Sequence, residues 1–253
     1  MLQGPSMPSA NKTELKYYGV NAVLAVFALR PKDIIKVLLL ESRKRELAEL
    51  LKWCAKEKKA YRFVGREDLD KLTASTHHEG VCLVAKRRDA LELGDAVKAL
   101  RPGPVLFLDG VENPHNFGSI LRAAAHFKAA LVTGERKRTP QLSAAACRVS
   151  EGGAEHVAVA VTDDAERALR NFRKKGYTIV STASGAERSL YDYKFAKNSV
   201  IILGAEDRGV DPELNLLADV SIAIPGSGSV ESLNVSSACS VLLSEYSRQQ
   251  WKR

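Results

Sequence analysis

The sequence predicts an α/β protein with two domains, the second built on a parallel β-sheet. Short apolar runs alternate with segments of helical period along the whole chain, and the composition changes around Pro-Gly-Pro at 102–104. A chain of 253 residues with 45% hydrophobic and 27% charged residues has a globular composition. This composition excludes the collagen-like, disordered and disulfide-scaffold classes, and no apolar run approaches the ~20 residues that span a membrane.

The first domain is predicted to alternate helices and strands. Apolar runs indicate strands, and apolar residues spaced three to four apart indicate helices. In chain order we expect a helix over 18–29, a strand over 34–40, a helix over 45–59, a strand over 61–64, a helix over 67–72 and a strand over 80–85.

The second domain is predicted to carry strands separated by helices, which is typical of a parallel sheet covered on both faces. The expected strands cover 105–108, 130–133, 156–161, 177–182, 200–203 and 220–224. The expected helices cover 114–127, a segment from 141, 163–175, 212–217 and 232–250. We therefore divide the chain into 1–13 (disordered or left over from an expression vector), a domain over 14–88, a linker over 89–103 and a domain over 104–253.

The charge is concentrated in the first third of the chain. Residues 1–90 hold 18 basic and 11 acidic side chains, whereas residues 91–253 hold 20 and 19. A basic domain attached to a near-neutral one favours an acidic partner such as nucleic acid. A merely solvated surface is the alternative, and charge alone does not decide between them.

The cysteines predict neither a metal site nor a disulfide framework. Cys54, Cys82, Cys147 and Cys239 are far apart, each lies in an apolar pattern, and no CxxC or Cys/His cluster is present. We expect four reduced, mostly buried thiols in a cytoplasmic protein.

Unusual residues follow three predicted strands of the second domain, where parallel sheets bind ligands. Asn113 is a natural N-cap for the helix over 114–127, and Gly118 inside that helix suggests a close approach. Residues 204–209 hold Glu206 between two glycines. After the strand over 220–224, Ser232 is expected to cap the last helix, leaving the Asn234 amide free for a ligand.

Together these segments resemble the three ordered motifs of SpoU/TrmH-type RNA 2′-O-ribose methyltransferases. The motifs are Asn116-x-Gly118-x-x-x-Arg122, Leu203-Gly-x-Glu206-x-x-Gly209 and Ile224-Pro-x-x-Gly228-x-x-x-Ser232-Leu-Asn-Val-Ser236. The first domain resembles the RNA-binding extension of that family and ends in Thr76-His-His-Glu-Gly-Val81. The resemblance spans residues 104–250 and implies a deep trefoil knot of the SPOUT type, a homodimer, RNA as substrate and S-adenosylmethionine as cofactor.

Carried over to this sequence, the resemblance assigns roles to individual residues. Main-chain groups of Leu203, Gly204, Ile224 and Leu233 would hold the cofactor. Arg122 would be catalytic, with Asn116, Glu206, Ser232 and Asn234 completing the site. Two positions depart from the family pattern: Ala205 replaces a small polar residue, and Gly226 replaces methionine.

The implied reaction is in-line attack of a ribose 2′-hydroxyl on a sulfonium methyl group, without a metal. Guanidinium has a pKa above ~12, so we expect Arg122 to grip a phosphate and stabilise the developing alkoxide. The proton would leave late, to solvent or to a group such as Glu206.

Several alternatives stay open. A non-catalytic RNA-binding protein with the same fold is the main alternative to an enzyme. rRNA is favoured over tRNA as substrate, by analogy only. In the first domain, Tyr17, Tyr18 and Tyr61 could stack on bases or belong to the core.

Overall fold

The computed structural model describes residues 13–251. It separates into two compact units whose boundary lies between Arg88 and Asp89. The expectation that residues 1–13 are disordered falls outside the described residues, except at Thr13.

The first unit is a four-stranded sheet with helices. Its elements are β1 (Glu14–Tyr18), α1 (Val20–Leu29), β2 (Ile34–Leu39), α2 (Ala48–Lys56), β3 (Ala60–Phe63), α3 (Arg66–Thr73) and β4 (Val81–Lys86). The strand order is β1-β4-β2-β3, in which β4 pairs antiparallel with β1 and β2, and β2 pairs parallel with the edge strand β3.

The sequence pattern does not predict strand β1, and it assigns Tyr18, the last residue of that strand, to the first helix. Gly19 separates the strand from α1: its φ of +89° is open to glycine, and its N–H donates to the His78 carbonyl at 3.2 Å. Tyr17 and Tyr18 are buried in β1 and belong to the core, whereas Tyr61 on β3 is 42% exposed.

The second unit is an α/β domain on an eight-stranded sheet. Its elements are β5 (Leu91–Glu92), α4 (Leu93–Ala96), β6 (Val105–Asp109), α5 (Pro114–His126), β7 (Leu131–Glu135), α6 (Ala144–Val149), α7 (Gly153–His156), β8 (Val159–Thr162), α8 (Ala165–Lys174), β9 (Thr178–Thr182), β10 (Arg188–Ser189), β11 (Ser199–Gly204), α9 (Pro212–Leu216), β12 (Val220–Ala223) and α10 (Val235–Gln250).

Every pairing in this sheet is parallel, which confirms the predicted fold class. The strand order is β10-β12-β9-β11-β6-β7-β8-β5. Its central strands are almost wholly buried, as β6 and β11 are, because helices cover both faces of the sheet.

The stretch over 89–103 is more than a linker. Leu91 and Glu92 pair with Ala160 and Val161 at the sheet edge, and Leu93 and Ala96 of α4 join the apolar core of the second unit. The strand was missed because it has two residues, both exposed, and so carries no apolar run.

Candidate active site

A cavity of about 410 Å³ lies at the carboxyl ends of β9, β11 and β12, three neighbouring strands of the parallel sheet. The volume falls within the roughly 300–1,000 Å³ typical of small-molecule sites. All four residues predicted to hold a cofactor line this cavity: Leu203, Gly204, Ile224 and Leu233. The loops that follow three separate strands thus form one pocket.

Gly204 allows the loop after β11 to fold back tightly on itself. The main-chain N–H of Ala205 donates to the Gly209 carbonyl at 3.1 Å, and the N–H of Gly209 donates to the Ala205 carbonyl at 2.9 Å. A Cβ atom at position 204 would overlap the main chain of Gly209 and Val210, so only glycine fits there. The tight loop presents Glu206 at its tip, where it also lines the cavity.

Three predicted side chains from three distant segments meet at Asn234. The Asn234 amide Nδ2 donates to Oδ1 of Asn116 at 3.1 Å and also to Oε1 of Glu206. Asn116 comes from the first turns of α5, and Glu206 from the loop after β11. We call Asn116, Glu206 and Asn234 the polar triad.

The helix cap fixes how Asn234 is oriented. Its Oδ1 accepts the main-chain N–H of Ser236 at 2.9 Å and the Ser236 hydroxyl at 2.6 Å, so Asn234 is the N-cap of α10. The prediction that Ser232 caps this helix was therefore wrong, as was the prediction of a free Asn234 amide. With Oδ1 held by the helix, Nδ2 faces the other two members of the polar triad.

Ser232 and Arg122 occupy different surroundings. Ser232 is exposed and lines the cavity. Arg122 is exposed on α5, does not line the cavity, and has no carboxylate partner within residues 13–251. The structure therefore brings the predicted site residues together with the exception of Arg122.

Gly118 is explained by helix packing. A Cβ there would come within 2.7 Å of the Ala146 carbonyl oxygen and 2.8 Å of Cβ of Val149, so the close approach is that of α6 to α5.

The end of β9 contributes cavity residues that were not predicted. Thr182, Ala183 and Ser184 line the pocket, and the Thr182 hydroxyl donates to the Ile202 carbonyl at 2.9 Å. Thr182 ends the strand predicted over 177–182 and the other two follow it. Their position at the carboxyl end of a parallel strand was the signal that could have identified them.

The four cysteines are free and buried, as predicted. Burial raises the pKa of Cys82 and of Cys239 to about 12, so these thiols stay protonated near neutral pH. Over residues 13–251, no cluster of three or more His, Cys, Asp or Glu side chains could hold a metal, and no helix is long and apolar enough to cross a membrane.

This fold and cavity define an α/β protein with a cavity of small-molecule size at the carboxyl edge of a parallel sheet. The SpoU rRNA Methylase family model matches residues 103–244, and the model for RNA 2′-O ribose methyltransferase substrate binding matches residues 17–90. The chain belongs to the SpoU rRNA methylase family.

Curated relatives are similar over most of this chain. The chain is 34% identical over 240 residues to the 23S rRNA (guanosine-2′-O-)-methyltransferase RlmB of Haemophilus influenzae, covering 92% of this chain and 97% of that protein. It is 36% identical over 237 residues to the uncharacterized tRNA/rRNA methyltransferase YfiF of Escherichia coli O157:H7, covering 93% and 68%.

Solved structures share the fold. The AdoMet-bound rRNA methyltransferase from Sinorhizobium meliloti superimposes with a TM-score of 0.78 at 21% identity, over 95% of this chain and 89% of that one. The SpoU methyltransferase AviRb from Streptomyces viridochromogenes, in complex with the cofactor AdoMet, gives 0.77 at 20% identity, over 96% and 94%.

Proposed function

We propose that this chain transfers a methyl group from S-adenosylmethionine to a ribose 2′-hydroxyl of RNA, with rRNA favoured over tRNA. The observation that carries the proposal is the polar triad beside the cavity, formed by residues of all three motifs. The preference for rRNA rests on the activity named for the RlmB relatives. Four free, buried cysteines suit a cytoplasmic enzyme.

The residues of the cavity suit a cofactor with both apolar and polar parts. Leu203, Ile224 and Leu233 offer apolar side chains, and the main-chain groups of Leu233 have no hydrogen-bond partner in the described part of the chain. These residues and Gly204 would hold S-adenosylmethionine, which supplies a methyl group activated on a sulfonium. Ala205 and Gly226 leave this lining intact, because the Ala205 main chain closes the loop and Gly226 faces open space.

The polar triad would position the ribose. Glu206 receives a hydrogen bond from Asn234, which holds its carboxylate in place, and its remaining lone pairs can accept the proton of a 2′-hydroxyl. Ser232 can donate or accept a hydrogen bond at the cavity. Alignment is then the main contribution of the protein, since a ~1 Å misplacement can lower the rate about 10²-fold.

We propose that Arg122 acts at the cavity of a second copy of the chain, in a homodimer. It lies outside the cavity of its own chain, exposed and without a carboxylate partner among residues 13–251. Trp251 is 48% exposed, and its ring lies 6.4 Å from that of Phe127, which follows α5. It offers an apolar surface for self-association. There the guanidinium would grip an RNA phosphate and stabilise the developing alkoxide.

We also propose that the carboxy-terminal segment is threaded as a trefoil knot. The strand order supports this path. Strand β9 lies between β11 and β12 in the sheet, and yet α10, which follows β12 in the chain, packs against α5. The chain after β12 therefore passes the ends of β9 and β11, where Asn234 meets Glu206.

Calorimetry with S-adenosylmethionine tests the proposed cofactor site. Leu233 and Leu216 are both exposed leucines, but only Leu233 lines the cavity. We expect Leu233→Asp to weaken cofactor binding at least about tenfold, because a carboxylate replaces apolar contact, and Leu216→Asp to bind like the wild type. A wild-type chain that binds no S-adenosylmethionine, or equal losses in both variants, would contradict the proposal.

A further inference from the structure

A basic strip runs along the exposed edge of the first unit. It comprises residues 56–66, from the end of α2 through β3 to the start of α3. Five of its eleven residues are cationic, and Glu57 is its single anion, so the strip holds half of the net charge of +8. The cations are Lys56, Lys58, Lys59, Arg62 and Arg66.

The cations of the basic strip are not held in ion pairs with other described residues, although Glu67 and Asp68 directly follow it in the chain. Within residues 13–251 none of its five cations forms an ion pair, whereas the nearby Lys44 and Lys52 are paired with Glu41 and Glu49 at 3.0 and 3.1 Å. A cluster of cations without ion-pair partners attracts the phosphate groups of a nucleic acid and raises their concentration near this edge.

An aromatic pair lies within the same strip. Tyr61 is 42% exposed and Phe63 is half-buried, and their ring centroids are 6.2 Å apart at an interplanar angle of 85°. Nζ of Lys44 lies 5.4 Å from the centre of the Phe63 ring and supports it from the neighbouring loop. The Tyr61 ring is thus held in place by its neighbour but left partly open to solvent.

The position of the strip on an edge strand favours RNA over a protein partner. In register, Tyr61 lies beside the buried Val37 of β2, while no strand of residues 13–251 pairs with its other side. Lysine and arginine on an edge strand discourage the addition of another β-strand. Free cations interleaved with an exposed aromatic ring instead match unpaired nucleotides, which offer phosphates and a stackable base.

We propose that the basic strip binds an unpaired stretch of RNA, with a base stacked on Tyr61 and phosphates on the surrounding lysines and arginines. This inference rests on the proposed function and names the surface of the first unit that would receive the substrate.

Binding of a fluorescein-labelled oligouridine to the full chain, followed by anisotropy, tests the stacking contact. We expect Tyr61→Ala to weaken binding roughly fivefold to a hundredfold, and Tyr61→Phe to keep the wild-type affinity because the ring remains. Tyr191→Ala is the control, since Tyr191 is 60% exposed in the second unit. Wild-type affinity in Tyr61→Ala, equal loss in Tyr191→Ala, tighter binding to duplex RNA than to oligouridine, or no measurable binding by the wild type would overturn the inference.

A matched pair of charge variants tests the phosphate contacts in the same assay. Lys58 and Lys59 follow the C-cap of α2, and Lys174 and Lys175 form a second lysine pair at the end of α8. Of these four lysines, Lys59 is half-buried and the other three are exposed. Each lost phosphate contact lowers the salt slope by ~0.7 for a single strand, so we expect a shallower slope in the variant with Lys58→Gln and Lys59→Gln. The variant with Lys174→Gln and Lys175→Gln should keep the wild-type slope, and identical slopes in all three proteins would overturn the inference.

Cofactor calorimetry on the same proteins separates this inference from the proposed function. If the wild type binds S-adenosylmethionine but all Tyr61 variants bind oligouridine equally, the proposal that the basic strip binds RNA is wrong and the methyltransferase proposal stands. If the wild type binds no S-adenosylmethionine while Tyr61→Ala loses RNA affinity, the proposed function fails and the RNA-binding strip stands.

Discussion

Asn234 combines a structural and a proposed chemical role in one side chain. Its oxygen caps α10, and its nitrogen links Asn116 to Glu206. Aspartate could accept the same cap bonds, but it has no N–H to donate and would place a second carboxylate beside Glu206. A side-chain amide therefore meets both requirements, because its oxygen accepts the cap bonds and its nitrogen donates to Asn116 and Glu206.

Two variants of Asn234 separate the cap from the site. Serine caps helices about as well as asparagine, whereas alanine costs about 1 kcal/mol. We expect Asn234→Ser to keep the free energy of unfolding measured in urea, and Asn234→Ala to lower it. Both should lose methyl transfer at least about tenfold, because alanine has no donor and the shorter serine side chain has a single O–H, which cannot bridge Asn116 and Glu206 as the two amide hydrogens do. Full activity in Asn234→Ser would show that the polar triad does not position the reacting groups.

At the scale of elements, hydrophobic pattern predicted the long strands and helices well. Strands β6 and β11 are continuous apolar runs because both faces are buried, and α5 carries its cap and apolar stripe in the sequence. Strands β1, β5 and β10 were missed. β5 and β10 have two residues each, and β1 adjoins a helix across a single glycine, so none gives a clear period.

Only some features of the candidate site could be predicted from the sequence. Residues at the end of β11 and in the loop after β12 came from motifs and do line the cavity, as Gly204 and Leu233 do. The choice of cap between Ser232 and Asn234 could not be made from sequence, because both are good N-caps and only the path of the loop decides. The motif singled out Arg122, but which cavity it could reach depends on tertiary packing.

For the whole molecule, the charge asymmetry seen in the sequence follows the division into two units. The boundary lies at Arg88, close to the point where the basic excess ends. Under the proposed function, the basic unit would hold RNA while the near-neutral unit carries out the transfer. Under the same proposal, the transfer site would be complete only when a second copy supplies Arg122.

Mixing two inactive variants tests whether the site spans two copies. Arg122→Ala and Leu233→Asp would each inactivate both sites of a homodimer. In a mixed dimer one site would combine the intact cavity of one chain with the intact Arg122 of the other, so an equal mixture should recover about a quarter of wild-type methyl transfer. A mixture as inactive as its components, in a solution shown by light scattering to contain dimers, would place both functions within one chain.

The position of the transferred methyl group tests the central claim most directly. The full chain would be incubated with tritiated S-adenosylmethionine and unmodified rRNA, and the RNA digested to nucleosides. We predict that the label appears in a 2′-O-methylated nucleoside and that its formation is lost in Asn234→Ser. Label in a base, or no label in RNA, would contradict the account.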